Sequence, residues 1–265
     1  MHSKKGDLKI LVVNIIHFRQ PQLSPQRKMN EETRLNEWFV PKFGPTKFRL
    51  IIGLLFLPYT GMCISFALIG SMLSTNIFWD RVASIALIYA LALGLSAHAA
   101  DGLGSRKLKP WGEYFTKRQL WFLIISGLIT AYSIGIYYII FYVPFLCLIA
   151  ILEGFFVFAY NFELFAGHFH NNFSFAVSWG ILPVLAGFVM QTNSIGTLPL
   201  AVSLIAGLVS YIEIKLSRPY KELKRSALDQ SHAKNLERGL KITSLGTIVF
   251  TIILILYRIA FGSFF

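Results

Sequence analysis

Residues 119–152 read QLWFLIISGLITAYSIGIYYIIFYVPFLCLIAIL, an uninterrupted run without a single charge. A helix rises 1.5 Å per residue and the apolar part of a bilayer is about 30 Å thick, so roughly 20 such residues cross it once. With its flanks this window holds two crossings joined near Pro144. Two further windows, 50–79 and 173–212, are equally free of charge. The whole chain is 55% hydrophobic and 14% charged over 265 residues. A soluble domain of that length could not hide so much apolar surface. The fold class is therefore all-α, a polytopic transmembrane helical bundle. The expected crossings are about seven, near 50–74, 82–100, 119–140, 143–160, 173–191, 195–214 and 240–261, with a bend near Pro58. Residues 1–47 form a basic cytoplasmic or interfacial segment and 48–265 the transmembrane helical domain.

Orientation follows from the cations. Ten of the 25 Lys and Arg fall in residues 1–49, five in 101–118 and eight in 215–241, leaving Arg81 and Arg258. Basic residues concentrate on the cytoplasmic side of membrane proteins. The expected topology is an integral protein of the cell membrane with its N-terminus cytoplasmic and its C-terminus outside. The net charge of +12 then faces anionic headgroups of the membrane lipids. The basic loops carry no nucleic-acid motif and no interleaved aromatics, so no nucleic-acid partner is expected. Cys63 and Cys147 lie within apolar runs and read as small buried hydrophobes, with no metal or disulfide spacing. Ala206, Gly207 and Ser210 suit close helix packing.

Three inner loops collect the unusual polar residues. The stretch "LSAHAADGLGSRKLKP", 95–110, ends an apolar run on His98 and Asp101, one helical turn apart, before Arg106, Lys107 and Lys109. One reading is a solvated helix end. The other is a carboxylate that holds a divalent cation on a diphosphate, with the basic residues on the remaining oxygens; Mg²⁺ prefers one or two carboxylates plus phosphate. The second loop follows Glu153, which lies about 10 Å inside its helix end at 1.5 Å per residue. A charge at that depth costs on the order of 2.5–3.5 kcal/mol, so a polar cavity or a partner is expected, with Tyr160 one heptad away on nearly the same face. The third, "YIEIKLSRPYKELKR" at 211–225, is basic, which topology alone also accounts for. Glu163, His168 and His170 have the residue types of metal ligands at weakly specific spacing.

Taken in order, these features resemble the UbiA-type intramembrane prenyltransferase superfamily over about residues 45–240. The Asp101 loop followed by "SRKLKP" is similar to that family's first aspartate motif and the Arg-Pro-Leu segment after it. "AYNFELFAGHFHNNFSFAVSWGILPVLAGFVMQT", 159–192, is similar to its Tyr-led loop and following helix. The chain departs from the pattern where Ala97 and Ser105 replace the motif's Asn and later Asp. It departs again where "KLSRPYKELKRSALDQ" is basic instead of acidic, with Glu213, Glu222 and Asp229 poorly spaced. The family usually has nine crossings. The resemblance implies a helical bundle that binds a polyprenyl diphosphate through Mg²⁺ and transfers the prenyl group to a lipophilic acceptor at a cytoplasmic mouth. Carried onto this chain, it implies Asp101 as metal ligand with His98 auxiliary, and Arg106, Lys107, Arg218 and Lys221 on phosphate. Asn161 and Glu163 would hold acceptor or metal, Tyr160 would shield an allylic cation and Glu153 would be a cavity acid. Two other readings stand beside it. One is a non-catalytic lipid-binding or transport protein with the same bundle; the other is a metal oxidoreductase built on His98, His168, His170 and Glu163.

Overall fold

The computed structural model describes residues 34–104, 114–226 and 229–262. Among them there is no strand, and seven helical segments, here α1–α7, carry the chain. Helix α1 comprises Thr46–Leu54 and Leu57–Met72, α2 is Trp79–Gly104, α3 Lys117–Phe141, α4 Leu146–Asn161 and α5 Asn172–Thr192. Helices α6, Thr197–Ser226, and α7, Gln230–Phe261, complete the set. Six of the seven are long and apolar enough to cross a membrane; α4, with 16 residues, is shorter. It starts three residues later than the sequence suggests, because Pro144 and Phe145 form a turn ahead of it. Among the described residues six helices thus have the length and apolarity of a crossing, where the sequence suggests about seven, and α4 is the shorter apolar helix.

Two helices extend beyond the ends that the polarity of the sequence suggests. Helix α6 runs twelve residues past the expected end at 214, through Pro219, to Ser226. Glu213, Ile214, Ser217 and Tyr220 are buried along it while Lys215, Arg218 and Lys224 stay exposed. That is the one-sided pattern of a surface helix. Helix α7 likewise starts at Gln230, ten residues early, with Asp229 capping its first turn through His232 N at 2.9 Å. The basic segment after the sixth crossing is therefore mostly helix, packed on its neighbour.

Helices α1 and α5 make the closest contact. A Cβ on Gly70 would fall on the Val184 carbonyl, and one on Gly187 would fall on the Ala67 carbonyl. The two backbones touch, and Ser71 Oγ donates across to Gly187 O at 3.1 Å. Small residues permit this approach where lipid offers no hydrophobic drive between helices. The same holds for α5 against α6, where the expected small residues Ala206, Gly207 and Ser210 all lie within 3 Å of a Cβ built on Gly180. Of the six long apolar helices, α5 is the most buried and α7 the least. Ile242, Ile253 and Phe261 on α7, like Phe122 and Ile129 on α3, point outward, as lipid-facing side chains do.

The bend in α1 falls where the sequence places it. Pro58 cannot bond back along the helix, and Phe56 takes a left-handed φ of 45°. Thr60 Oγ1 donates to the freed carbonyl of Leu55 at 2.7 Å. At the opposite end of the bundle the two isolated arginines close helix ends. Arg81 donates to the Met190 and Gln191 carbonyls, both at 3.2 Å. Arg258 donates to those of Ser74 at 2.6 Å and Thr75 at 3.1 Å. Satisfying carbonyls that lack helical donors accounts for cations on the sparsely basic side.

Candidate functional site

At the end of the bundle where the basic residues gather, five helices and the segment before α1 surround a chamber of about 230 Å³. The break in α1 turns Phe56 onto His98, with ring centroids 4.6 Å apart. His98 also meets Trp179 of α5 at 5.3 Å, and Trp179 stacks on Phe175 at 5.3 Å and 8°. Phe175 adjoins Tyr160 of α4 at 5.9 Å, and Tyr160 stacks on His170 at 4.5 Å. The result is a nearly continuous aromatic wall contributed by four helices and a loop.

Local chemistry sets each polar group. Thr60 spends its one proton on Leu55 O, so its oxygen accepts from His98 Nε2 at 3.3 Å. That hydrogen bond assigns the ring its Nε2–H tautomer, leaving Nδ1 as the acceptor. Asp101 lies in the last turn of α2, which reaches α4 because a Cβ on Gly104 would collide with the Asn161 carbonyl. Asn161 donates Nδ2 to Val157 O at 2.8 Å and remains buried. Glu163 sits in a turn whose residues Glu163, Phe165 and Ala166 all have positive φ, 49°, 54° and 55°. Side-chain-bearing residues hold this conformation at about 1–3 kcal/mol each, and such strain collects at functional sites. His170 Nδ1 and Tyr160 O are 3.0 Å apart, which pins the far end of the turn.

Helix α6 supplies the other wall. Glu213, Ser217 and Lys221 recur every four residues and face the chamber, with Arg218 at its rim. Glu213 is 3% exposed and its Oε2 has no hydrogen-bond partner among the described residues. Three carboxylates, Asp101, Glu163 and Glu213, and three cations, Arg34, Arg218 and Lys221, thus share one cavity.

No family model, curated protein or solved structure matches this chain.

Of the residues singled out in the sequence, His98, Asp101, Tyr160, Asn161, Glu163, Arg218 and Lys221 all line the chamber. Arg106, Lys107 and Lys109 lie outside the described residues. Glu153 is elsewhere. It faces a second, apolar pocket of about 70 Å³ between α2, α3 and α4, where Tyr89 donates its hydroxyl to Oε1 at 2.8 Å. The partner expected for a deep acid exists, but it is a tyrosine of a neighbouring helix and not the chamber. The 10 Å that separates Glu153 from Tyr160 along α4 is enough to put them in different cavities. His168 is exposed at the turn, apart from His98, and the described residues contain no group of three or more His, Cys, Asp or Glu able to hold a metal. The oxidoreductase reading therefore loses its ligand set. His170, named in the sequence beside Glu163 for its ligand-type side chain, also lines the chamber, whereas Arg34 and Glu213 were not expected there. The four-residue recurrence of Glu213, Ser217 and Lys221 was the available signal for one of them.

Proposed function

We propose that this chain is a divergent UbiA-like integral membrane prenyltransferase, transferring a prenyl group from a polyprenyl diphosphate to a lipophilic acceptor. The observation that carries the reading is the convergence of seven sequence-selected residues, from α2, α4, α6 and the turn after α4, on one charged chamber with an aromatic wall. The bundle's apolar helices support insertion in a membrane. The cations support a cytoplasmic mouth, with the N-terminus on that side.

In this reading the diphosphate lies against Lys221 and Arg218, whose charges offset the negative charge that grows on the leaving group. The C1–O bond of the allylic chain breaks and both electrons leave with the diphosphate. The carbon cation that remains is held over the π faces of Phe175, Trp179 and Tyr160. The acceptor attacks it and gives its proton to a carboxylate, a role that Glu213, buried in the chamber wall with an open oxygen, is equipped to take. Among the described residues a resident metal cluster has no ligand set, but an ion that arrives with its phosphate needs only one or two hard oxygen donors. Asp101, with Glu163 beside the same cavity, fits that need. Bound there, Mg²⁺ would supply further neutralisation of the diphosphate.

The purified protein should retain radiolabelled farnesyl diphosphate, and Lys221→Gln should weaken that retention by about tenfold or more. Failure of the wild type to hold the label, with and without Mg²⁺, defeats the proposal. The loss of the second acidic motif favours the alternative, a lipid-binding or transport protein that performs no chemistry. Asp101→Asn separates them: an enzyme keeps its ligand and loses turnover, while a carrier changes little.

A further inference from the structure

The segment that precedes α1 is built into the chamber. Leu35 is 1% and Val40 2% exposed, packed in one cluster with Leu50, Leu54, Tyr220 and Leu240. Trp38 lies edge-on to Tyr59 at 6.2 Å and beneath the Lys241 ammonium at 5.3 Å. Arg49 on the first turn of α1 then clasps the segment. Its Nε donates to Pro41 O at 2.7 Å and its Nη2 donates to Leu35 O at 2.9 Å. The second bond fixes the residue directly after Arg34. A side chain pointing into a cavity is only as well placed as its backbone, so this clasp aims Arg34.

Arg34 lines the chamber with its guanidinium 5.2 Å from the centre of the Phe56 ring. The Lys221 ammonium stands 6.0 Å from the same ring. Two cations from separate elements, Arg34 and Lys221, therefore line one patch of wall in a chamber they share with Asp101, Glu163 and Glu213. An anion with oxygens on two phosphorus atoms can meet both cations at once. One phosphate meets the α6 ammonium, and the other meets the guanidinium fork, which suits paired oxygens. A lone phosphate can satisfy only one of the two fully.

We infer that the strap formed by residues 34–45 completes the anion site, with Arg34 as the residue that selects a prenyl diphosphate over a prenyl monophosphate and Arg49 as its positioning residue. The inference rests on the proposed anion-binding role of the chamber and adds a determinant of specificity to it.

The test is equilibrium binding of radiolabelled farnesyl diphosphate and farnesyl monophosphate to the full-length protein in detergent. Wild type should favour the diphosphate. Arg34→Gln should weaken diphosphate binding by about tenfold to a hundredfold, the range for one charge-assisted contact, and leave the monophosphate within about twofold. Lys221→Gln should weaken both ligands. Arg49→Met, which touches no ligand, should lower the preference in the same direction, and Arg49→Lys should restore part of it. A general loss of stability would not change that ratio. If Arg34→Gln preserves the preference while Lys221→Gln still weakens binding, the strap has no selective role and the chamber reading survives. If wild type binds neither ligand, the chamber reading falls and this inference with it.

Discussion

The Tyr89–Glu153 pair allows the separation of the two cavities to be tested by stability alone. Tyr89 is 4% exposed and its hydroxyl is the one donor to Glu153, whose Oε2 has no hydrogen-bond partner among the described residues. Replacing one member of a buried hydrogen bond leaves the other unsatisfied, at about 1–3 kcal/mol, whereas replacing both by apolar groups of similar shape is nearly neutral. Tyr89→Phe strips the carboxyl of its last donor and should fall at the upper part of that range. Glu153→Leu strands a hydroxyl but also removes an acid from an apolar pocket, so it should cost less. The double variant should be more stable than Tyr89→Phe, giving a coupling of about 1–3 kcal/mol where independent sites would show none. The assay is reversible unfolding in mixed micelles for all four proteins, with farnesyl diphosphate binding measured in parallel. Additive losses would refute the reasoning about the pair. Loss of ligand binding in a folded Glu153→Leu protein would refute the assignment of Glu153 to a separate pocket.

Gly187→Val should prevent the α1–α5 contact, since even its Cβ overlaps the Ala67 carbonyl. The cost should exceed the roughly 1–3 kcal/mol of ordinary overpacking, read as loss of monodisperse protein on size exclusion. Arg258→Met leaves the Ser74 and Thr75 carbonyls without their donor. It should lower unfolding stability by about 1–3 kcal/mol with no change in ligand affinity, because it lies at the far end from the chamber. Chelation with EDTA should lower turnover more than retention of the labelled diphosphate. In the proposed reading Lys221 and Arg218 hold the ligand, and an ion on Asp101 would add neutralisation of the leaving group.

The helices were legible because uncharged length is a strong physical signal: each observed helix contains most of its expected crossing. Their ends were less legible. In α6 the residues after Ile214 are polar enough to read as a loop, yet Ser217 and Tyr220 are buried against neighbours, and packing outweighs composition there. The chamber residues were found where a polar group interrupts apolar sequence, as at His98, Asp101, Asn161 and Glu163. Arg34 was hidden because its segment holds many cations, and charge on the inner side is expected whether or not it serves a site. Glu153 was misplaced for a geometric reason. Seven residues return nearly to the same face of a helix, but that face runs past two neighbouring layers, and the pocket a side chain enters depends on depth as well as direction.

The break at Phe56 divides α1 into parts with different mechanical fates. Leu57–Met72 is welded to α5 through Gly70 and Gly187, whereas Thr46–Leu54 carries Arg49 and, through it, the strap. The short limb and the strap clasped to it pack instead on Tyr220 of α6 and Leu240 of α7. In the proposed reading, entry and exit of a bulky lipid would part that packing without loosening the Gly70–Gly187 seam, and a cross-link spanning the joint should trap the chamber either vacant or filled.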